Sequence, residues 1–198
     1  MIVSNLKKSF NGKLVVDLPY LEIEKGSVYV LWGQNGHGKS TFMRLLAGIM
    51  PADEGSIQNP MSISYQPQTP YIFRYSCLGN VLLGSKGKDT AKAKELLSCF
   101  GLAEKLHTSA HALSGGQQQC MALARSLLTD GDLLLLDEPF SAIDAIRNDD
   151  IARFTLDYCS KSSRALLIVV HKPEHLGIFG HNRLLFSQSG LITVEKAS

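Results

Sequence analysis

The chain has 198 residues, 44% of them hydrophobic and 19% charged, with a formal net charge of +2 at neutral pH. That is enough apolar material for one core, and it gives no electrostatic reason to expect a nucleic-acid or acidic partner. The four cysteines, Cys77, Cys99, Cys120 and Cys159, show neither CxxC pairing nor zinc-like spacing with histidine, so free thiols in a reducing compartment are expected.

The first ten residues carry no long apolar run of the signal-peptide kind. The longest apolar runs, residues 133–136 and 165–170, are far short of the ~20 residues that span a bilayer, so the chain is not expected to cross one itself. "MIVSNL" and "FNGKLVVDLPYLEI" read as strands joined by a turn at Asn11 and Gly12, and "SVYVLW" as a buried strand. "KSTFMRLLAGI" places Phe42, Leu45, Leu46 and Ile49 at helical spacing, with Pro51 beyond its end. "MSISYQPQTP" is a strand broken at Pro67 and Pro70. Residues 85–129 read as mostly helical: "DTAKAKELLSCF" is amphipathic and stopped by Gly101. β/α alternation then returns with "DLLLLDEP" as strand, "RNDDIARFTLDYC" as helix and "RALLIVVH" as strand. "NRLLFSQSGLITVEK" closes the chain as a hairpin around Ser189 and Gly190. The expected class is α/β: a P-loop core with a parallel sheet, N-terminal antiparallel strands and a small helical subdomain. The whole of 1–198 would be one domain, with helical residues of about 69–130 inserted.

Within the first phosphate-binding candidate, "GQNGHGKST", residues 33–40 fit G-x-x-x-x-G-K-[ST], with a strand before and a helix after. Gly33, Gly36 and Gly38 let the backbone curl, so that N–H groups of Gln34, Asn35, His37 and their neighbours converge on phosphate oxygens. The helix N-terminus adds positive field. Lys39 brings a full charge for the β- and γ-phosphates, Ser40 a hydroxyl for Mg²⁺, and Thr41 continues the helix. His37 is either a solvated variant or an extra phosphate contact that weakens at high pH.

"LLLLDEP" ends a buried strand on two adjacent acids. Side chains alternate along a strand, so Asp137 and Glu138 point in different directions and can divide the work. Asp137 suits Mg²⁺ beside Ser40, and Glu138 suits polarising an attacking water. Pro139 stops the strand. Gln68 follows the strand ending "SYQP" and its amide can reach a metal or a water. His171 ends "ALLIVV" at the same sheet edge as Asp137. Taken alone, either residue would more often be an ordinary structural or surface group, and both gain weight only from their neighbours.

"LSGGQ" is a second anion-binding opening. Ser114 is a plausible N-cap, Gly115 and Gly116 leave the first N–H groups uncovered, and Met121, Ala124, Leu127 and Leu128 give the helix behind them an apolar stripe. One nucleotide's phosphates are already enclosed by the first loop. The economical arrangement is that Ser114, Gly115, Gly116 and Gln117 serve a nucleotide held by a second copy, with two-fold symmetry.

The combination resembles the nucleotide-binding subunit of an ATP-binding-cassette (ABC) transporter over essentially the whole chain. Six motifs stand in the family's order: "GQNGHGKST" as Walker A, "YQPQ" as Q-loop, "LSGGQ" as signature, "LLLLDEP" as Walker B, "SAID" as D-loop and "VVH" as switch histidine. The tyrosine–x–proline–glutamine register, with Asn80 at the usual distance, favours Gln68 over Gln66. The resemblance implies an ABC ATPase fold that binds ATP and Mg²⁺, with Phe10 under the adenine, Lys39 on the phosphates, and Ser40, Gln68 and Asp137 around the metal. Glu138 and His171 would serve the attacking water. Asp144 would lie along the seam of a homodimer that closes over two ATP molecules. It implies a separate membrane permease pressed into the groove near residues 68–80, a peripheral position on the inner face of the cell membrane, and a solute-binding protein if the system imports. His37, Cys120 and Ile143 depart from the family pattern, Cys120 standing where an arginine is common. A soluble, non-transport ABC ATPase, a small-molecule P-loop kinase and a weakly hydrolysing switch are the alternative readings. The absence of long coiled coils or a second cassette disfavours the first, "LSGGQ" the second, and Glu138 with His171 the third.

Overall fold

A computed structural model describes residues 1–85, 89–180 and 182–196. Strands β1 (Ile2–Phe10) and β2 (Lys13–Glu22) form a hairpin whose turn residues, Asn11 and Gly12, both adopt positive φ (50° and 78°). That geometry matches strand twist and explains the Asn-Gly pair. β4 (Glu54–Gln58) adds to the other edge of β1, giving an antiparallel sheet ordered β2-β1-β4. The second sheet has six strands. β3 (Val28–Trp32), β5 (Ile63–Gln66), β6 (Leu133–Asp137), β7 (Ala165–Val169), β8 (Asn182–Phe186) and β9 (Ile192–Lys196) lie in the order β5-β6-β7-β3-β8-β9. All neighbours are parallel except β8 and β9.

The period-2 rule divides the core. Leu133, Leu135, Leu167 and Val169 face helix α1 (Lys39–Leu46) and the antiparallel sheet, joining Phe42, Met43, Val3, Leu6 and Leu18. Leu134, Leu136, Leu166 and Ile168 face the opposite way. They meet helices α2 (Cys77–Leu82), α3 (Thr90–Cys99), α4 (Gly115–Leu128), α5 (Ala145–Lys161) and α6 (Pro173–Phe179). Because β3, β5, β6 and β7 are parallel, their C-terminal ends share one edge. The residues that follow them, Gly33, Gln68, Glu138 and His171, are gathered there.

Four points differ from the expected elements. Ile49 was expected on the apolar face of α1, but the helix ends at Leu46 and Ile49 is 63% exposed. Gly48, at φ 69°, closes the helix instead, its N–H and that of Ile49 bonding back to Leu45 and Arg44 carbonyls. β4 and α6 were not expected, and α2 begins before residue 85. Residues 86–88, part of the stretch expected to be helical, lie outside the described residues.

Candidate active site

The P-loop follows β3 and runs into α1, as its glycine pattern requires. Gly38 caps α1 at φ 94°, and a Cβ there would collide with the Val15 carbonyl. Only glycine lets β2 approach so closely. Lys39 is almost wholly buried and donates to the carbonyls of Gly33 (2.7 Å) and Gln34 (2.9 Å). Its ammonium has three donors, so one is left for a phosphate oxygen. Burial pushes its pKa down, while Glu138 and Asp137 pull the other way. A cavity of about 320 Å³ is lined by Asn35, Gly36, Gly38, Lys39, Ser40, Thr41, Gln68, Glu138 and Val15.

Glu138 is clamped. Gln68 Nε2 donates to its Oε2 at 2.9 Å, and His171 Nε2 lies 2.6 Å from its Oε1. Gln68 and His171 therefore meet at the Glu138 carboxylate. The structure separates Gln68 from Gln66, whose side chain is buried with neither amide atom hydrogen-bonded among the described residues.

Asp137 is the last residue of β6, and Glu138 beyond it has φ 51°, so a backbone turn and not strand alternation sets the two acids apart. The Asp137 carboxylate is buried, with Tyr65 Oη 3.5 Å from Oδ2. Burial raises its pKa; the Ser40 hydroxyl and Arg44 oppose this, and Glu138 adds to it. Oδ1 is buried without a hydrogen-bond partner among the described residues. A buried, unpaired carboxylate oxygen beside a serine hydroxyl is the donor set a hard cation wants, so the residues fit Mg²⁺.

Ser114 caps α4 in a complete capping box. Its Oγ accepts from Gln117 N (3.3 Å), and Gln117 Oε1 accepts from Ser114 N (3.0 Å). Neither Ser114, Gly115, Gly116 nor Gln117 lines the P-loop cavity. Gly116 packs instead on the segment after Glu138, where a Cβ would lie 2.6 Å from the Ala142 carbonyl. Asp144 is the exposed N-cap of α5, with no side-chain capping bond among the described residues. Phe10 is 43% exposed and carries Lys8 Nζ 5.6 Å above its ring, but it does not line the cavity.

His37 is half-buried, and its Nδ1 lies 3.2 Å from the Phe186 carbonyl, tying the P-loop to β8. Cys120 is buried and its thiol pushed up to about 11 by that burial, with the charges of Arg147 and Asp144 acting on it in opposite senses. Val15, Tyr65 and Arg44 were not anticipated as site residues. All three are brought in by pairing or packing across long sequence distances.

A buried strand feeding a glycine-rich loop, a lysine, a clamped carboxylate and a second helix opening define a P-loop ATPase. The family model described as ABC transporter matches residues 18–141. An "aliphatic sulfonates import ATP-binding protein" of Streptomyces avermitilis is 36% identical over 195 residues, which cover 98% of this chain and 75% of that protein. The chain belongs to the ABC transporter family and is one of its nucleotide-binding, ATP-hydrolysing subunits. It spans 63% to 82% of the length of eight curated relatives of the same description. Among solved structures, a metal-chelate type ABC transporter in an inward-facing conformation matches with TM-score 0.84 and 28% identity, covering 98% of this chain and 82% of that one. An ATP-binding cassette in a dimeric post-hydrolysis state bound to ADP and Pi matches with TM-score 0.85 and 21% identity, covering 100% and 99%.

Proposed function

We propose that two copies of this chain close over two ATP molecules and use their hydrolysis to drive a separate membrane permease in solute uptake. The observation that carries the reading is the clamp on Glu138 beside the P-loop cavity. Among the described residues, no helix is long and apolar enough to cross a membrane. Uptake is favoured by the curated relatives, which carry import names, and aliphatic sulfonates or similar small organic anions are the cargo class they suggest.

In this mechanism Lys39 and the N–H groups of residues 34–41 hold the phosphates. Ser40 and Asp137 would hold Mg²⁺, with Gln68 in reach of the same cavity; when bound, the ion neutralises charge on the β- and γ-phosphates. Glu138 orients a water and takes its proton as the oxygen attacks the γ-phosphorus. The bond to the bridging oxygen breaks and leaves ADP. His171 and Gln68 fix the carboxylate's two oxygens. The second copy's Ser114, Gly115, Gly116 and Gln117 complete the γ-phosphate shell, and Asp144 lines the seam. Phe10 offers an exposed ring for the adenine.

The helical lobe, about residues 69–130, would receive the permease. Asn80 shapes its edge, bonding the carbonyls of Phe73 (3.0 Å) and Ser76 (3.2 Å), and leaves Tyr71, Phe73 and Tyr75 exposed. Arg125 links this edge to the signature helix through the Tyr71 carbonyl (3.0 Å) and the Phe73 ring (5.2 Å).

Glu138→Gln tests the scheme. It keeps both clamp neighbours and removes the base, so ATP binding should persist, turnover should stop and an ATP-dependent dimer should accumulate in size-exclusion or scattering measurements. An E138Q protein that stays monomeric at saturating ATP and Mg²⁺ contradicts the shared site.

A further inference from the structure

The segment after Glu138 is braced from behind by a side chain that no motif contains. Glu138 has φ 51°, a left-handed conformation that is unfavourable for any residue with a Cβ. Its own carbonyl is held locally, by Ser141 N (3.2 Å) and Ser141 Oγ (3.1 Å). Further along the turn, two carbonyls are held by one group. Asn148, in the first turn or so of α5, donates Nδ2 to Phe140 O at 3.0 Å and to Ile143 O at 3.3 Å.

Asn148 is 2% exposed, and its Oδ1 is buried without a hydrogen-bond partner among the described residues. Only the donor half of the amide is in use. Burying an unpaired oxygen is unfavourable, and asparagine is a poorer helix former than leucine or alanine. Neither core packing nor helix formation accounts for an amide here. The two carbonyls do.

We propose that Asn148 is a positioning residue for ATP hydrolysis. It fixes the turn from Glu138 to Asp144, so that the base of one site and the seam residue that follows it are presented in one rigid geometry. Phe140 is anchored on its other side by the rings of His175 (5.1 Å) and Phe179 (6.0 Å), so the amide sets the turn's backbone while these rings set its side chain. This role rests on the ATPase reading above, and the brace itself does not.

The test compares the wild-type chain with N148L, N148D and N148Q. Leucine and aspartate each remove both donors, aspartate without changing shape. Glutamine keeps an amide, and a cavity of about 340 Å³ bordered by Asn148, Ile143 and His175 gives room for its extra methylene. N148L and N148D should lower kcat about tenfold while leaving the ATP Kd within about twofold, and N148Q should recover kcat to within about threefold of wild type. Amide hydrogen exchange without nucleotide should quicken at residues 140–144 in N148L and N148D and stay unchanged at residues 33–41. Wild-type kcat in N148D, or a loss of kcat in N148Q equal to that in N148D, overturns the proposal. So does unchanged exchange at 140–144. If N148L does not fold, N148D decides alone. A wild-type chain without ATP turnover would sink the ATPase reading, while the exchange measurement would still judge the brace.

Discussion

Removing His171 from the clamp is the most direct test of what the geometry does. His171→Ala leaves Glu138 with Gln68 as its one side-chain hydrogen-bond partner among the described residues and frees Oε1. A hydrogen bond to a charged group contributes ~1.5–3 kcal/mol. At ~1.4 kcal/mol per decade this corresponds to roughly a 10- to 150-fold fall in kcat. The Glu138 side chain is 15% exposed, so water can replace part of the lost contact and the lower end, about 10- to 30-fold, is expected. ATP affinity should hold, because Lys39 keeps its Gly33 and Gln34 contacts and the P-loop is untouched. Gln68→Ala should show the same pattern. The double variant should lose less than the product of the two, since both residues act on one carboxylate. Steady-state phosphate release and equilibrium nucleotide binding measure the two quantities separately. An H171A protein with kcat within twofold of wild type refutes the clamp, as does one whose loss lies wholly in ATP affinity.

Asn80→Ala removes a fully buried amide that bonds Phe73 N and O, and should cost roughly 2–4 kcal/mol. Tm should then fall by about 5–15 °C for a domain of this size, read by thermal unfolding; an unchanged Tm would show that the aromatic edge is not organised by this residue. His175 is buried against Phe140, and burial lowers its pKa below the ordinary 6.5; Lys172 adds to the effect, while Asp149 and Glu174 oppose it. Between the lowered value and 6.5 the unfolded chain binds more protons, so stability is full above that window and declines as pH falls through it. His175→Phe keeps an aromatic ring, and should flatten the pH dependence of unfolding free energy as pH falls below 6.5; an equal slope in both proteins excludes the histidine as its source.

The P-loop was legible because its signals are local: a β-branched strand, glycines at fixed spacing and a helical repeat are adjacent in the chain. The alternation of Leu133 to Leu136 between two cores was legible for the same reason. It stops at Asp137, where the strand ends, and Glu138 is placed by a left-handed backbone turn (φ 51°) that the sequence did not announce. β4 was not, because "EGSIQ" has one strongly apolar residue and becomes a strand only by pairing with β1. Gly48 did carry the signal that ends α1 before Ile49, and the apolar repeat masked it. His37 could be placed only by its contact with Phe186, 149 positions away. Asn148 belongs to the same group: an asparagine in a polar helical stretch has no local mark, and its importance comes from the two carbonyls folded beneath it.

The signature helix and the turn after Glu138 are physically joined within one chain, and this bears on the proposed dimer. Gly116 leaves room for the Ala142 carbonyl, and Gln119 Nε2 lies 3.5 Å from the Glu138 carbonyl. The signature helix therefore rests on the same turn that carries Glu138 and Asp144. On the proposed arrangement that helix serves the partner's nucleotide while Glu138 serves its own. A displacement of Ser114 on engaging the partner's γ-phosphate would reach Glu138 through Gly116, Ala142 and the braced turn, with no contact between the two nucleotides. A rigid turn passes such a displacement on, whereas a loose one absorbs it. The coupling of the two sites then depends on the backbone between residues 138 and 144 having one conformation, which the bonds from Ser141 and Asn148 supply.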